Sequence, residues 1–352
     1  MEEDIRLELF TVQQVRDWLK TGVGERGLSE EVISRTRAWS IIHNPYATDD
    51  LNIVSAIFVN NEVAAYTHLF PDESRGERMY WNTTIYCAPK FEGRGYGAIV
   101  IGQFCELYGE RYFDLDAEPE SIANLKFCGL NVDFVPQYIL TGKSIRGNGI
   151  KAGLARLKEM IRYAISNQKS KLTKAIKAAD YTIKYTSFVD DKVYVFIKAH
   201  SDKDVFLRSQ EMFNWLLNYP LMQDTPLADR VEYDGRFSSK KPGFKMIGVE
   251  VYKQHRLVGF YILNVCSKSM DVSYIYFDSK YEYEVVYLSV AEHILRYQSP
   301  QVMMSHEPLL RFLQGYKLYA KCSKRMKAFS HPQGFEYDAT KNMQSGDGDN
   351  LT

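Results

Sequence analysis

Three glycines at alternate positions mark one loop of this chain as a site that could hold a phosphate group. Gly93, Gly95 and Gly97 lie between a strand-like stretch, residues 79–87, and an apolar stretch typical of a helix, up to about residue 107. Without side chains there, successive backbone N–H groups can converge at the positive end of the helix dipole. The sequence therefore predicts a loop that binds a phosphate or pyrophosphate.

Two common nucleotide-binding motifs fit this loop poorly. A P-loop requires Lys followed by Ser or Thr after its last glycine, but Ala98 and Ile99 follow Gly97. The dinucleotide fingerprint requires G-x-G-x-x-G in the first βαβ unit, whereas this loop reads G-x-G-x-G and follows several predicted strands.

Three carboxylates lie along the next predicted strand, residues 111–116, and at its exit. Asp114, Asp116 and Glu118 alternate along this strand and its exit, so we expect their side chains to share one face. Carboxylates so close should raise the pKa of at least one of them, which suits a general base. The alternative is a solvated acidic loop or a cap for Ser121. We favour Asp116 and Glu118 as catalytic residues.

Hydrophobic periodicity places these residues in a defined order of elements. Thr11 and Gln14 form the pattern of a capping box for the first helix, and Asn60-Asn61 is typical of a hairpin turn. The predicted elements are a strand (5–10), two helices (from 11 and 29–42), a hairpin (54–59 and 63–70), a strand (79–87), the loop and its helix, a strand (111–116), a helix (121–130) and strands at 132–135 and 138–140.

This order and the loop resemble the GNAT family of acyl-CoA-dependent N-acyltransferases. Pro89 and the three glycines match the family's Pro-x-x-(Arg/Gln)-Gly-x-Gly-x-(Gly/Ala) loop, with Glu92 where Arg or Gln is usual. The resemblance covers about 140 N-terminal residues. It implies that acetyl-CoA or another acyl-CoA is the co-substrate, with its pyrophosphate on the loop and its pantetheine paired like an added strand.

The resemblance also implies roles for individual residues. The backbone N–H of Cys87 or a near neighbour would bind the thioester oxygen. The family's thiol-protonating tyrosine has no counterpart on the helix 121–130, where Phe127 and Cys128 stand. Either Tyr138 replaces it, or the thiolate leaves unassisted, or the domain does not catalyse. The implied donor-binding residues are Ile85, Cys87, Gly93, Arg94, Gly95, Tyr96, Gly97, Ala98 and Asn124.

The second half of the chain repeats the first in outline. Residues 246–263 predict another hairpin, and later elements follow at similar spacing. The counterpart of the glycine loop, residues 281–286, has no glycine and carries Glu282 and Glu284, so it should repel a polyphosphate. The predicted fold class is α/β (α+β), with two tandem GNAT-like domains that each contain a mixed, mostly antiparallel splayed sheet. The predicted domains are 1–145, a basic helical connector at 146–180, a degenerate copy without CoA at 181–335 and a disordered tail at 336–352.

Composition excludes several classes of function. The formal net charge is zero, so the overall charge does not favour DNA as a partner. No run of 18 apolar residues occurs, so we expect no membrane span. The five cysteines form no CxxC pair, which disfavours a disulfide framework or a metal site and favours a reducing cytoplasm.

The connector leaves two interpretations open. Residues 146–178 contain nine Lys or Arg residues and one acidic residue, Glu159, in an amphipathic pattern. This surface is either a solvated face, or it attracts an anionic acceptor or the adenosine phosphates of CoA.

Three functions remain compatible with the sequence. The resemblance implies an N-acyltransferase that acts on the primary amine of a small molecule or sugar. An aminoacyl-tRNA-dependent peptidyltransferase of the tandem-GNAT type has a similar layout, and the basic connector favours it, but the intact loop counts against it. A non-catalytic acyl-CoA-binding module is favoured by the missing tyrosine.

Overall fold

One mixed sheet runs through both halves of the chain. The computed structural model describes residues 3–142, 168–222, 241–278, 282–319 and 321–348, so most of the predicted connector lies outside the described residues. In these ranges the sheet has twelve strands in the order β1-β2-β3-β4-β5-β12-β6-β11-β10-β9-β8-β7.

The element bounds are as follows. The strands are β1 (Ile5–Thr11), β2 (Asn52–Val59), β3 (Glu62–Ser74), β4 (Glu77–Cys87), β5 (Tyr112–Leu115), β6 (Asn131–Thr141), β7 (Thr182–Thr186), β8 (Lys245–Lys253), β9 (Arg256–Val265), β10 (Met270–Phe277), β11 (Gln301–Met304) and β12 (Lys321–His331). The helices are α1 (Val12–Thr21), α2 (Arg35–Ile42), α3 (Tyr96–Tyr108), α4 (Pro119–Phe127), α5 (Asp191–Ala199), α6 (Gln210–Asn218), α7 (Tyr283–Tyr297) and α8 (Glu307–Gly315). Residues 168–178 are also helical.

The two halves exchange their last strands. β6 and β12 pair antiparallel from Asn131 opposite His331 to Thr141 opposite Lys321, so β12 lies beside β5 and β6 lies beside β11. The first module is therefore β1–β5 with β12, and the second module is β7–β11 with β6. The predicted fold class, α/β with two tandem units of mixed, mostly antiparallel sheet, is confirmed, and the two units join in one twelve-stranded sheet. The sequence analysis did not predict this exchange, which gives each module one strand from the other half of the sequence.

Local sequence signals explain several element boundaries. Thr11 Oγ1 accepts the Gln14 N–H at 3.3 Å, and Gln14 Oε1 accepts the Thr11 N–H at 2.9 Å, which confirms the capping box. Asn60 and Asn61 turn the first hairpin at φ values of 51° and 65°, as a two-residue turn requires. The second predicted helix begins at Arg35 rather than at residue 29, because Ser34 is its cap.

The two modules share part of their apolar core. One cluster joins α1, α2, α5 and α6 with inward side chains of both modules, including Trp81, Phe213 and Tyr274. A second cluster lies under α7 and α8 and includes Val286 and Leu309. Burial of such side chains supplies most of the stability of a sheet packed against helices. Among the described helices, none has both the length and the apolar character that crossing a bilayer requires.

The C-terminal segment corrects the predicted disordered tail. Residues 343–348 are buried, although their composition is polar and rich in glycine. A Cβ at Gly346 would lie 2.3 Å from the ring of Tyr274, so only glycine allows the backbone this close. The prediction is wrong up to Gly348, because these residues exchange hydrogen bonds with buried polar groups instead of with water.

Candidate functional site

A cleft opens where β4 and β5 separate. These parallel strands pair only at Tyr80 with Tyr112 and at Trp81 with Phe113, whereas β4 continues to Cys87. At the fork, Asn82 Nδ2 donates to Asp114 Oδ2 at 2.6 Å. Beyond Trp81, β4 therefore has a backbone edge without a neighbouring strand in the described sheet.

Two of the predicted donor-binding residues lie on this open edge. The N–H of Ala88 donates to the carbonyl of Ala64 on β3 at 2.8 Å. Because N–H groups alternate along a strand, those of Ile85 and Cys87 point to the opposite side, towards the cleft. Both residues are half-buried. The structure thus gives them the orientation that pairing with an extended pantetheine or binding a thioester oxygen requires.

The glycine loop leads from β4 into α3. Gly93 and Gly95 have φ values of 78° and 80°, a region in which a side chain is strained. A 3₁₀ turn at Pro89–Phe91 precedes them, and Gly95 is the N-cap of α3 without a side-chain cap. The first N–H groups of α3 are thus presented at a bare helix start, which suits an anion.

The other loop residues have different environments. Arg94 Nη1 donates to both carboxylate oxygens of Glu3 at 2.9 Å, and its guanidinium lies 5.4 Å from the centre of the Phe91 ring. Tyr96 is buried in a small apolar cluster with Phe91. The Ala98 carbonyl accepts a hydrogen bond from Cys128 Sγ at 3.4 Å. Arg94 thus uses one of its terminal nitrogens for Glu3, and Tyr96 packs with Phe91 beneath the loop.

Gly97 has a packing role that the sequence did not reveal. A Cβ at this position would lie 2.8 Å from Asn124 Nδ2, closer than real Cβ contacts. The Asn124 amide therefore lies against the start of α3, in space that a side chain at position 97 would fill. Direct contact of Gly97 or Asn124 with a phosphate stays a prediction.

The three predicted carboxylates have separate environments. Asp114 is buried and accepts the Asn82 hydrogen bond. Asp116 has a φ of 75° and forms ion pairs with Arg325 and, at 3.6 Å, with Lys327. The strand ends at Leu115, so the alternation that predicted a shared face does not continue.

Glu118 is the carboxylate best placed to meet a substrate. It is exposed and stands at the N-cap of α4, where its side chain makes no capping hydrogen bond. It follows the carboxyl end of β5, and ligands of parallel strands bind at such ends. Its role as a base stays a prediction.

Tyr138 lies in the second module, which contradicts its predicted place in the first cleft. On β6 it pairs with Met304 and Lys324 and packs in the apolar cluster under α7 and α8. Burial, together with the neighbouring Glu307 carboxylate, raises the pKa of Tyr138. The strand exchange is the reason, because it carries β6 away from the domain that precedes it in sequence.

His68 is a structural residue. Its Nε2 bonds to the Val32 carbonyl at 2.7 Å, and its side chain is buried. Burial, aided by the nearby Arg37 charge, lowers the pKa of His68 to about 3. The imidazole is therefore neutral at physiological pH and enclosed in protein, which disfavours proton transfer with a substrate.

Arg37 is a buried charged residue beside the bulge of β4, and the sequence analysis did not single it out. It is buried on α2, and its Nη1 donates to Thr83 Oγ1 at 3.0 Å and to the Thr83 carbonyl at 3.4 Å. Thr83 is the bulged residue of β4, since Thr84 pairs with His68 and Asn82 pairs with Leu69. The sequence does contain a signal that Arg37 is buried. It lies four residues from both Ile33 and Ile41, on the same helical face as these apolar residues.

Among its described residues, the second module has no glycine at the helix start that corresponds to the start of α3. Glu282 is the N-cap of α7, and its carboxylate pairs with Lys253 at 3.0 Å and Arg256 at 3.1 Å. The Glu282 side chain makes no capping hydrogen bond, so an ion-paired carboxylate stands at the cap of α7, where α3 has Gly95. Residues 279–281 of this loop lie outside the described residues. No group of three metal-binding side chains occurs in the described ranges.

We therefore expect one acyl-CoA to bind per chain. We expect the pyrophosphate at the glycine loop of the first module, because α3 begins at Gly95, whereas α7 begins at Glu282. Titration calorimetry with acetyl-CoA should give a stoichiometry of one. Gly95→Val should weaken that single binding event, while Glu282→Gln should leave it unchanged. A stoichiometry of two, or a loss of binding in Glu282→Gln, would contradict the expectation.

Comparison with known proteins identifies the fold. A conserved protein of unknown function from Enterococcus faecalis V583, suggested to be an N-acyltransferase, shares 12% identity at a TM-score of 0.50, covering 93% of this chain and 72% of that one. An acetyltransferase candidate from Pyrococcus horikoshii shares 10% identity at a TM-score of 0.50, covering 97% and 93%. A tandem GNAT protein from the clavulanic acid biosynthesis pathway aligns at 11% identity and a TM-score of 0.49, covering 95% and 100%.

These likenesses concern structure alone. No protein-family model matches the chain, and no curated protein matches it in sequence. The fold is that of the GNAT N-acyltransferases, with two modules in one chain.

Proposed function

We propose that this chain is an acyl-CoA-dependent N-acyltransferase that uses acetyl-CoA to acylate a primary amine of a small molecule or sugar. The observation that carries the proposal is the combination of two features in one cleft. The open edge of β4 suits an extended pantetheine, and the glycine loop at the start of α3 suits the pyrophosphate of the same molecule.

Donor binding uses the loop and the edge together. The pyrophosphate lies over the N–H groups that follow Gly95, and the pantetheine runs along Ile85 and Cys87. Arg94 exchanges its bond with Glu3 for a phosphate oxygen, which offers a charge-assisted hydrogen bond of similar kind. The thioester then lies at the fork, near the carboxyl end of β5.

The chemical step is attack of a neutral amine on the thioester carbonyl. The N–H of Cys87 or a near neighbour stabilises the oxyanion of the tetrahedral intermediate. Glu118 accepts the amine proton, directly or through one water. The C–S bond then breaks, and the CoA thiolate takes its proton from solvent, since Tyr138 lies in the second module.

A second candidate is a non-catalytic acyl-CoA-binding module. The placement of Tyr138 favours it, because the first cleft gains no tyrosine from β6 to protonate the leaving thiolate. Such a module would bind acyl-CoA at the same site as the proposed enzyme but would transfer no acyl group.

Two measurements separate these proposals. Calorimetry with acetyl-CoA tests the donor site, and thiol release with a panel of primary amines and amino sugars tests turnover. Binding with amine-dependent thiol release supports the enzyme. Binding without release from any acceptor supports the module, and absence of binding contradicts both.

A further inference from the structure

The C-terminal segment, residues 342–348, is held against the second module at its strand bulge. β10 has an irregular register between Val272 and Tyr274, at the position that corresponds to the Thr83 bulge of β4. The Gly346 N–H donates to the carbonyl of the bulged residue, Ser273, at 2.8 Å. Tyr274 Oη in turn donates to the Gly346 carbonyl at 2.6 Å. The segment is thus bound by backbone pairing at a defined point of the sheet.

The same segment also touches the fork of the first module. A Cβ at Gly348 would lie 3.0 Å from Leu115 Cβ and 3.3 Å from the Trp81 ring. Trp81 is the last β4 residue paired with β5, and Leu115 ends β5. One short segment therefore bridges the bulge of the second module and the fork at which the donor cleft opens.

Buried charges surround the segment. Arg208 Nε lies 3.2 Å from Asp72 Oδ2, and its Nη2 donates to the Gly348 carbonyl at 3.3 Å. Within the segment, the Gln344 N–H donates to Asp347 Oδ2 at 2.9 Å, and Gln344 Nε2 joins the segment to Asp204 by donating to its Oδ2 at 3.0 Å. The titratable and charged groups that face Asp204 and Asp347 are Asp72 on β3, Arg75 in the β3–β4 turn, Arg208 before α6, and Tyr274 and Tyr276 on β10.

Acids outnumber cations in this buried cluster. Asp72, Asp204 and Asp347 are each less than 5% exposed and face the guanidiniums of Arg75 and Arg208. Burial raises the pKa of Asp204 to about 7 and that of Asp347 to about 8, only partly offset by the Arg75 and Arg208 charges and by hydrogen bonds. The segment is therefore most stable in place while the cluster holds a proton.

We propose that residues 342–348 form a proton-dependent bolt between the two modules, seated while Asp347 is protonated and released when it ionises. In the released state Asp347 reaches water, where its charge costs little. Release also removes Gly348 from Trp81 and Leu115, so the fork of the donor cleft loses a packing partner at alkaline pH.

The direction of the pH effect follows from linkage. The seated form binds the Asp347 proton more tightly than the released form, in which an aspartate has its ordinary pKa of about 4. Seating is therefore fully favoured below about pH 4 and weakens as the pH rises towards 8. Above about pH 8 the stability of the seated form no longer depends on pH, because Asp347 is ionised in both the seated and the released form.

Hydrogen exchange of the full chain at pH 6 and pH 9 tests the bolt. After correction for the intrinsic exchange rate, we expect the protection of residues 342–348 in the parent to fall at least tenfold between these values. Asp347→Asn places a neutral amide where the protonated acid sits, so the protection of this segment should fall clearly less than in the parent, with only Asp204 left to titrate. Amides of the β8–β9 hairpin report on global stability at both pH values.

Two further variants control for a general effect of removing a charge and for a failure of Asp347→Asn to fold. Asp338→Asn changes an exposed aspartate of the same C-terminal region and should behave like the parent. If Asp347→Asn fails to fold, Asp204→Asn serves instead and should reduce the fall by removing a nearby negative charge. Equal protection of the parent at both pH values, or a fall in Asp347→Asn as large as in the parent, overturns the proposal.

Discussion

Gly95→Val is expected to weaken acetyl-CoA binding about 30-fold, which corresponds to about 2 kcal/mol. Gly95 has a φ of 80° and caps α3. A valine there either is strained or forces the loop to another conformation, and its side chain covers the N–H groups that should receive the pyrophosphate. The loss is comparable to that of one charge-assisted hydrogen bond. Titration calorimetry measures it directly.

The control separates backbone strain from loss of the ligand contact. Gly76 has a φ of 85° with no atom near its Cβ position, and it lies in the β3–β4 turn, away from the loop. Gly76→Val imposes similar strain and should retain the parent affinity. Parent-like affinity in Gly95→Val, in a variant that unfolds at the parent's temperature, would contradict the assignment of the loop.

Local patterns made much of the first module predictable. The capping box at Thr11, the Asn60-Asn61 turn and the glycine loop each depend on a few consecutive residues. The sequence contains their physical cause within one turn of chain, and the structure has them where they were predicted. The start of α2 was misjudged, since Ser29 and Ser34 are both acceptable caps and only packing selects between them.

The strand exchange could not be read from the sequence. β6 and β12 have ordinary strand patterns, and pairing either one with its own half would satisfy the same alternation. Their mutual pairing is a contact between residues about 190 positions apart. The strand exchange explains why Tyr138 lies in the second module rather than in the first cleft. It also places Arg325 and Lys327 of β12 beside Asp116.

The prediction of a disordered C-terminal segment is wrong for a different reason. A stretch rich in Gly, Asp and Asn normally buries too little apolar area to offset its conformational entropy. Here glycine is needed for close approach to Tyr274, and the polar side chains bond to Asp204, Asp271 and each other. Composition describes the segment alone, whereas its order depends on a buried polar surface provided by both modules.

Glu118→Gln is expected to lower acetyl-CoA turnover on the order of a hundredfold while acetyl-CoA affinity is kept. The amide preserves the shape of the side chain but cannot accept the amine proton, and a general base contributes about this much. Glu118 is exposed at the carboxyl end of β5. The oxygens of Asp116, by contrast, are held by Arg325 and Lys327. Steady-state thiol release, with calorimetry for the donor, measures both quantities.

Two amide variants show whether the effect belongs to this carboxylate. Glu120→Gln removes an exposed negative charge from the first turn of the same helix and should turn over like the parent. Asp116→Asn removes one carboxylate that pairs with Arg325 and with the buried Lys327, so it should lower the unfolding temperature more than the catalytic rate. If Glu118→Gln turns over normally and Asp116→Asn does not, the base is Asp116 and its ion pairs must open in the complex. If both turn over normally, the amine proton passes to water, because His68 is enclosed and neutral and Tyr138 lies in the other module.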